Sequence, residues 1–314
     1  MLTFTPNHTP TAAVIAPPPR ISAARYLLSG PTRLRSLTCA LPIAEICRAA
    51  LMAIYGSRFQ LADGRRGRSE ILAGKTADGA PLQGHVHTYF LPTDEDADGF
   101  LDHLTLFAAG GFDTAHQAAM TGLTRLCFPN NADFLRVDLI GLGIADQMAV
   151  GPLGNGHIWE SATPYLATRF ARPKGGGAKI DFAEFLLTDL VGQLALFSAR
   201  CGVETKAVGA ARLAAPTDRN TAARPGPRDF TRSRLRREDN GGLRACGYFR
   251  IEFQTPVPGP VALGHNAHFG MGLFLPARKR NPPYGSESTA VARQSFCTKM
   301  DAGPLPLPEG RHYA

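Results

Sequence analysis

The stretch GHVHTYFLPTDEDADGFLDHLTLFAAG, residues 84–110, decides the fold prediction. Two short apolar segments, 84–92 and 103–110, flank a turn rich in aspartate and glycine. Apolar runs bounded by turn residues are typical of strands, and a solvated acidic turn between two of them predicts a β-hairpin. The rest of the first half of the chain can be assigned outward from this hairpin.

A strand and a helix are predicted before the hairpin, and a helix and a strand after it. The helices show apolar periodicity, and Asp113 is a candidate N-cap for the second one. The resulting order, β-α-β-β-α-β, is that of the ferredoxin-like fold, which RNA-recognition modules also use. The predicted ranges are strand 21–30, helix 42–56, helix 113–128 and strand 132–143.

The second half of the chain predicts an irregular copy of the first. A strand at 156–170 is followed by a glycine-rich connection and by a helix at 181–202, with a capping box at Asp181 and Glu184. Further strands are predicted at 203–213, 229–238 and 243–254, the last two joined by a DNGG turn. The fold class is therefore α+β, with tandem ferredoxin-like (RRM-like) domains. The predicted boundaries are a Pro-rich extension (1–20), a first domain (21–150), a second domain with a C-terminal glycine-rich loop (151–278) and an irregular tail (279–314).

Composition limits which class of protein the chain belongs to and which kind of partner it binds. With 44% hydrophobic and 19% charged residues, the 314-residue chain is expected to be globular. A net charge of +8 favours an anionic partner. The six cysteines form no C-x-x-C pair, so no zinc site is predicted. Since no apolar run approaches the roughly 20 residues of a membrane span, we expect a soluble, cytoplasmic protein.

Histidines near the hairpin are the first candidates for catalysis. On a strand, His85 and His87 would project from one face together with Tyr89, and His103 would join them if the hairpin is symmetric about Ala97. Imidazole titrates near neutral pH and can take or give a proton without a metal ion. The alternative is that these histidines only hydrogen-bond loop carbonyls.

The acidic run itself resembles the start of a calcium loop. Asp94, Asp96, Asp98 and Gly99 fit D-x-D-x-D-G, but Thr105 stands at the twelfth position, where a bidentate glutamate is expected. An acidic, solvated turn is the better interpretation, and no metal ligand is predicted.

Two later segments are candidates for binding a nucleic acid. Between residues 206 and 250 the chain has eleven Lys/Arg and four Asp/Glu, a stripe suited to phosphates or, alternatively, a charged edge strand. The segment PVALGHNAHFGMGLFLP, 260–276, has glycines that let a backbone approach a phosphate or simply pack tightly. The predicted RNA-binding residues are Arg232, Arg234, Arg236, Arg237, Gly264, His265, His268, Gly270 and Gly272.

Taken together, three motifs resemble one family. GHVHTYFLPTDEDADGFLDHL, WESATPY and LGHNAHFGMGLF are similar to the CRISPR-associated repeat-RNA-processing endoribonuclease of type I-U (I-G) systems, a branch of the RAMP superfamily. The similarity runs from about residue 25 to 274. RAMP proteins contain two ferredoxin-like folds and a glycine-rich loop near the C-terminus. In the family the processing half often follows a fused backbone-subunit domain, and this chain resembles the processing half alone.

The resemblance implies a metal-independent cut within each repeat of a precursor CRISPR RNA. A 2′-hydroxyl would attack the phosphate, leaving a 2′,3′-cyclic or 3′ phosphate and a 5′-hydroxyl, with no cofactor. His85 and His87 are the predicted catalytic pair, His103 is a third candidate and His268 a reserve base. CRISPR repeat RNA and other CRISPR effector subunits are the implied partners.

Three rival interpretations stay open from the sequence. One is a subunit that binds guide RNA without cutting it. Another is a two-histidine phosphoesterase, for which only the HLT at His103 supplies an H-x-T/S motif. The third is a calcium-responsive binding protein based on the acidic run.

Overall fold

The computed structural model describes residues 20–30, 34–60, 64, 66–128, 133–171, 181–201, 209–212, 225–226, 228–230 and 244–277. These residues belong to one compact unit that ends at Ala277. Two five-stranded antiparallel sheets form its framework. The first sheet takes its strands from residues 23–143 and the second from residues 155–276.

The first sheet has the strand order of a ferredoxin-like fold. Its order is β2-β3-β1-β5-β4, so that β5-β1-β3-β2 is the ferredoxin-like set and β4 is an added edge strand. The strands are β1 (Ala23–Ser29), β2 (Tyr89–Thr93), β3 (His103–Phe107), β4 (Arg125–Cys127) and β5 (Phe134–Gly143). The helices are α1 (Ala40–Arg58), α2 (Glu70–Ala73), α3 (Thr114–Thr121) and α4 (Ala145–Met148).

Helix α1 is held on this sheet by one apolar face. Ile43, Cys47 and Leu51 are fully buried in the same core cluster as Tyr26 of β1. Burying each such side chain stabilises the fold by about 1.5–3 kcal/mol. The Tyr26 hydroxyl donates to the Met120 carbonyl at 2.9 Å, which ties α3 to the same layer.

The second sheet repeats the order with one difference. Its order is β11-β12-β6-β10-β8, in which β12-β6-β10-β8 corresponds to the ferredoxin-like set. All residues between β10 and β12 are described, and a two-residue strand and a 3-10 turn (Ala267–Phe269) stand there instead of an α-helix. The elements are β6 (Asn155–Ser161), β7 (Tyr165–Leu166), α5 (Phe182–Cys201), β8 (Gly209–Arg212), β9 (Cys246–Gly247), β10 (Phe249–Pro258), β11 (Val261–Ala262) and β12 (Leu273–Pro276).

The tandem ferredoxin-like prediction is confirmed, while some element boundaries are wrong. The helix predicted over 113–128 ends at Thr121 because the chain turns at Gly122 and then continues as β4. The strand predicted over 156–170 is two strands, β6 and β7, with Pro164 immediately before the second. Residues 231–238 of a predicted basic strand and the DNGG turn lie outside the described residues.

Within the described residues, two helical stretches have the length and composition of a membrane span. They are Leu37–Arg58 and Phe182–Ala199. Both contribute buried residues to a core, and the core helix of a globular protein passes the same test. In α5 the buried residues include Leu186, Leu190 and Leu194.

Candidate functional site

The segment before β2 is a turn rather than part of the strand. Gly84 and His85 both have a positive φ, 74° and 55°, which ends the extended conformation there. The backbone N–H and hydroxyl of Thr88 both donate to the Ile71 carbonyl, at 3.0 and 3.2 Å. The prediction that His85 and His87 project from one face of a strand is therefore wrong, because β2 begins only at Tyr89.

The glycine-rich segment packs against both halves of the unit. A Cβ on Gly264 would lie 2.4 Å from the Leu166 carbonyl oxygen, and one on Gly272 would lie 2.0 Å from the Leu263 carbonyl oxygen. The Thr163 hydroxyl donates to the Gly270 carbonyl at 2.7 Å, fixing the segment from the other side. Only glycine fits such close backbone contacts, so these contacts fix the course of the segment across the sheets.

That path brings His268 to the turn before β2. The His85 Nδ1 and His268 Nε2 atoms are 3.0 Å apart. The His268 ring stacks on His87, with centroids 3.5 Å apart, and on Tyr89, at 3.8 Å. Two rings cannot occupy one face at these distances, so the His268 imidazole lies between them. We call His85, His87 and His268 the histidine cluster.

Hydrogen bonds define which nitrogen atoms of the histidine cluster carry protons. The Thr88 carbonyl lies 3.4 Å from His268 Nδ1, and a carbonyl can only accept, so the proton of neutral His268 is on Nδ1. Its Nε2 then accepts from His85 Nδ1. In this tautomer Nε2 is the basic nitrogen of His85, whose side chain is exposed. This is the arrangement of a general base oriented by a second group.

His87 has a different environment from its two neighbours. Burial lowers the pKa of His87 to about 4, and the nearby positive charges of protonated His85 and of Arg48 add to this effect. Its Nδ1 is buried without a hydrogen-bond partner among the described residues. A Cβ on Gly74 would lie 3.1 Å from the His87 ring, so the imidazole is packed between the backbone there and His268. At neutral pH His87 is an uncharged packing partner.

Arg48 is a site residue that the sequence does not reveal. It lies on α1, and its guanidinium carbon is 5.7 Å from the centroid of the Phe269 ring, next to His268 in the chain. Its charge is close enough to contribute to the low pKa of His87. A single arginine on an amphipathic helix gives no signal in the sequence, because most such residues are solvated.

His103 lies apart from the histidine cluster. Symmetry of the hairpin about Ala97 would have placed it opposite Leu91, but it faces Thr93, two pairs farther along, at the end of β2 farther from Tyr89. Its Nδ1 is 2.9 Å from Asp102 Oδ1 and 3.9 Å from a carboxylate oxygen of Glu95. His103 therefore belongs to the acidic hairpin.

The acidic hairpin is organised as a turn. The Asp94 carboxylate accepts from the backbone N–H groups of Ala97, Asp98 and Gly99 at 2.8–3.2 Å. Carboxylate oxygens of Asp94, Asp96 and Asp102 lie within 4.8 Å of one another. The Asp94 oxygens already stabilise the backbone, which is what an acidic solvated turn requires.

The other predicted RNA-binding residues fall into two groups, one outside the described residues and one within the glycine-rich segment. Arg232, Arg234, Arg236 and Arg237 lie outside the described residues. At positions 264, 270 and 272 a Cβ would come too close to neighbouring atoms, so packing alone accounts for these glycines. His265 donates its backbone N–H to the Leu166 carbonyl at 2.9 Å. Contact of these residues with RNA stays a prediction.

A second histidine centre was missed by sequence reasoning. Ser69 Oγ lies 2.7 Å from His116 Nε2, and His116 Nδ1 lies 2.6 Å from Asp113 Oδ1. Ser69 and His116 are only 4% and 5% exposed. We call these three residues the buried triad after Ser69 and His116, while the Asp113 carboxylate at its outer end is exposed. Asp113 and His116, three residues apart at a helix N-terminus, were a sign in the sequence that the two side chains interact. Ser69 could not be added to them, because it comes from a distant segment.

No family model matches the chain, and no curated protein matches it either. Solved structures that are similar include a RAMP protein binding different RNA substrates, 11% identical, with a TM-score of 0.40 and coverage of 82% of this chain and 100% of that one. A Cas6 product complex is 12% identical, with a TM-score of 0.32 and coverage of 82% and 100%. Thermus thermophilus Cas6 is 11% identical, with a TM-score of 0.30 and coverage of 83% and 100%. At these identities and TM-scores the likenesses establish neither a family nor an activity for this chain.

Proposed function

We propose that the protein binds CRISPR repeat RNA and cleaves precursor transcripts at the histidine cluster. The observation that carries the proposal is the 3.0 Å contact between His85 Nδ1 and His268 Nε2, which orients the imidazole of the exposed His85. Attack by a 2′-hydroxyl needs such a base, and the three sequence motifs that resemble the CRISPR endoribonucleases supply the substrate class.

The proposed chemistry is a phosphoryl transfer within the RNA. His85 Nε2 takes the proton of the 2′-hydroxyl, and the 2′ oxygen forms a bond to phosphorus. The bond from phosphorus to the 5′ oxygen breaks, and that oxygen takes a proton from water. The products are a 2′,3′-cyclic phosphate and a 5′-hydroxyl, and no electrons are exchanged with a cofactor. His268 orients the His85 ring through the contact between its Nε2 and His85 Nδ1, and stabilises the positive charge that forms on His85, as the orienting residue does in a catalytic triad.

Arg48 is suited to the charge that develops on the phosphate. A fixed cation near a pentacoordinate phosphorane stabilises the transition state more than the ground state. Arg48 is half-buried beside Phe269 and near His87, so it lies at the same end of the site as the base. The low pKa of His87 keeps a second positive charge from forming there at neutral pH.

The test is cleavage of a labelled transcript of the repeat from the protein's own locus, in excess EDTA. The wild-type protein, His85→Ala and His103→Ala are compared under single-turnover conditions. We expect one cut that survives EDTA, a loss of about 10²–10⁴-fold in His85→Ala, and an unchanged rate in His103→Ala. His103 is the matched control because it is a histidine outside the histidine cluster whose Nδ1 lies 2.9 Å from the Asp102 carboxylate.

Other results would change the assignment. RNA that is shifted in a gel but uncut would favour a guide-RNA-binding subunit without nuclease activity. A cut that disappears in EDTA would contradict the metal-independent mechanism. A rate lowered equally in His103→Ala would move the catalytic centre to the acidic hairpin. The resemblance also supports a cytoplasmic role and assembly with other CRISPR effector subunits.

A further inference from the structure

An exposed phenylalanine in the second ferredoxin-like domain is flanked by arginines. Phe170 is 51% exposed, although a phenylalanine of this size is usually buried. The guanidinium carbon of Arg244 lies 4.4 Å from its ring centroid. Arg169, the preceding residue, has a side chain that is 66% exposed. We call Arg169, Phe170 and Arg244 the arginine–phenylalanine surface.

This surface is held rigidly from below by a buried carboxylate. Asp189 of α5 accepts from the Tyr165 hydroxyl at 2.7 Å, from the Thr168 N–H at 2.8 Å and from Arg169 Nε at 3.1 Å. It is only 4% exposed. The guanidinium of Arg169 is thereby oriented through its Nε, while its side chain as a whole stays 66% exposed.

Arg244 is fixed by carbonyl groups. Its Nη1 donates to the carbonyls of Ala167 and Thr168 at 3.1 and 2.8 Å. Carbonyl partners orient a guanidinium without neutralising it, and the contact with the Phe170 ring is a cation–π interaction. The surface thus presents an aromatic ring and positive charge in a fixed arrangement.

We propose that the arginine–phenylalanine surface binds single-stranded RNA. A nucleobase would stack on the exposed part of the Phe170 ring, and the guanidinium groups of Arg169 and Arg244 would contact phosphates on either side. Proteins that bind single strands without sequence preference combine these two elements. Unpaired RNA fits better than a duplex, because the bases of a duplex are not available for stacking on a side chain.

The surface is connected to the histidine cluster through the glycine-rich segment. Leu166 accepts the backbone N–H of His265 at 2.9 Å, and Phe170 follows Leu166 by four residues. Four residues span at most about 14 Å. His268 lies only three residues beyond His265 on the other side of that contact. The inference therefore deepens the proposed function: the surface would hold a single-stranded part of the same RNA near the cut.

The experiment measures binding separately from cleavage. The probe is a short, labelled oligouridylate, which has no secondary structure and no repeat sequence, and the affinity is measured by fluorescence anisotropy in EDTA. The variants are Phe170→Ala, Phe170→Trp and Phe134→Ala. Phe134 is the matched control, because it is a partly exposed phenylalanine with Arg125 5.6 Å from its centroid, on the first sheet.

We expect the affinity to fall about tenfold in Phe170→Ala, to be kept in Phe170→Trp and to be unchanged in Phe134→Ala. Thermal unfolding of the variants checks that each is folded. Wild-type affinity in Phe170→Ala overturns the inference and leaves the surface for a protein partner, and an equal loss in Phe134→Ala overturns it in favour of diffuse binding. Failure of the nuclease proposal is seen independently, as an uncut repeat transcript bound with normal affinity.

Discussion

The buried triad and the histidine cluster are both hydrogen-bonded histidine centres, and they differ in access to solvent. The buried triad has the connectivity of a serine hydrolase, with contacts of 2.7 and 2.6 Å. The histidine cluster has longer contacts, 3.0 and 3.4 Å, and no hydroxyl nucleophile is among its three members. Yet Ser69 and His116 are almost fully buried, whereas His85 is exposed. Connectivity alone therefore does not identify an active site, since a substrate has to reach the reacting atom.

The buried triad has a structural role that explains its geometry. Ser69 is the N-cap of α2, and its Oγ also accepts the N–H of Leu72 at 3.0 Å. Through His116 it joins α2 to the start of α3. Because the Ile71 carbonyl of α2 holds Thr88, the buried triad supports the turn that carries the histidine cluster.

The largest expected effect is on the cleavage rate, which should depend on the histidine cluster and not on the buried triad. We expect His268→Ala to lower single-turnover cleavage by about 10²–10⁴-fold, and the double variant His85→Ala/His268→Ala to be no slower than either single variant. The reason is that a base and its orienting residue act as one unit. Affinity for the repeat RNA should stay within a few fold.

The matched control for this comparison is His116→Gln in the buried triad. It should leave the cleavage rate within a few fold of the wild type, because His116 orients a serine that no substrate reaches. A rate for the double variant equal to the product of the two single losses would show that His85 and His268 act independently. A loss in His116→Gln as large as in His268→Ala would reverse the roles of the two centres.

A smaller effect separates the centres by stability. Ser69→Ala removes an N-cap and leaves a buried imidazole nitrogen without its partner, which should lower the free energy of unfolding by about 2 kcal/mol. His85→Ala, at an exposed turn, should change it by less than about 0.5 kcal/mol. Urea titration followed by circular dichroism measures both. Equal losses in the two variants would contradict the division into a structural and a chemical centre.

The order of strands and helices was predictable, since it depends on local patterns. Apolar segments around the acidic turn predicted the hairpin of β2 and β3, and the amphipathic helix α1 was predicted within two residues of each of its ends. The positive φ of His85 was not predictable, because left-handed conformations of residues other than glycine depend on surrounding contacts. Both histidines lie ahead of the strand, which begins at Tyr89 after the turn at Gly84 and His85.

The candidate site was predicted only in part, for a physical reason. His85 and His268 are 183 residues apart in the chain, and nothing in the local sequence shows that their nitrogen atoms meet. The same is true of Ser69 and His116, which are 47 residues apart. His103 was selected on the assumption of a hairpin symmetric about Ala97, yet the register of the hairpin places it opposite Thr93 and beside the acidic side chains. Long-range packing decides which histidines form a centre.

A further effect concerns pH and a histidine, His87, whose pKa is clearly lowered. Burial, with the nearby charges of His85 and Arg48, lowers the pKa of His87 from 6.5 to about 4. The unfolded chain therefore binds this proton more readily than the folded protein between about pH 4 and 6.5. The stability that neutral His87 contributes is complete above about pH 6.5 and is lost as the pH falls toward 4. We expect the urea midpoint to decline over this range, and to decline less in His87→Gln, which cannot titrate. Because carboxylates titrate in both proteins, the difference between the two curves is the measurement, and identical curves would contradict the buried, neutral state of His87.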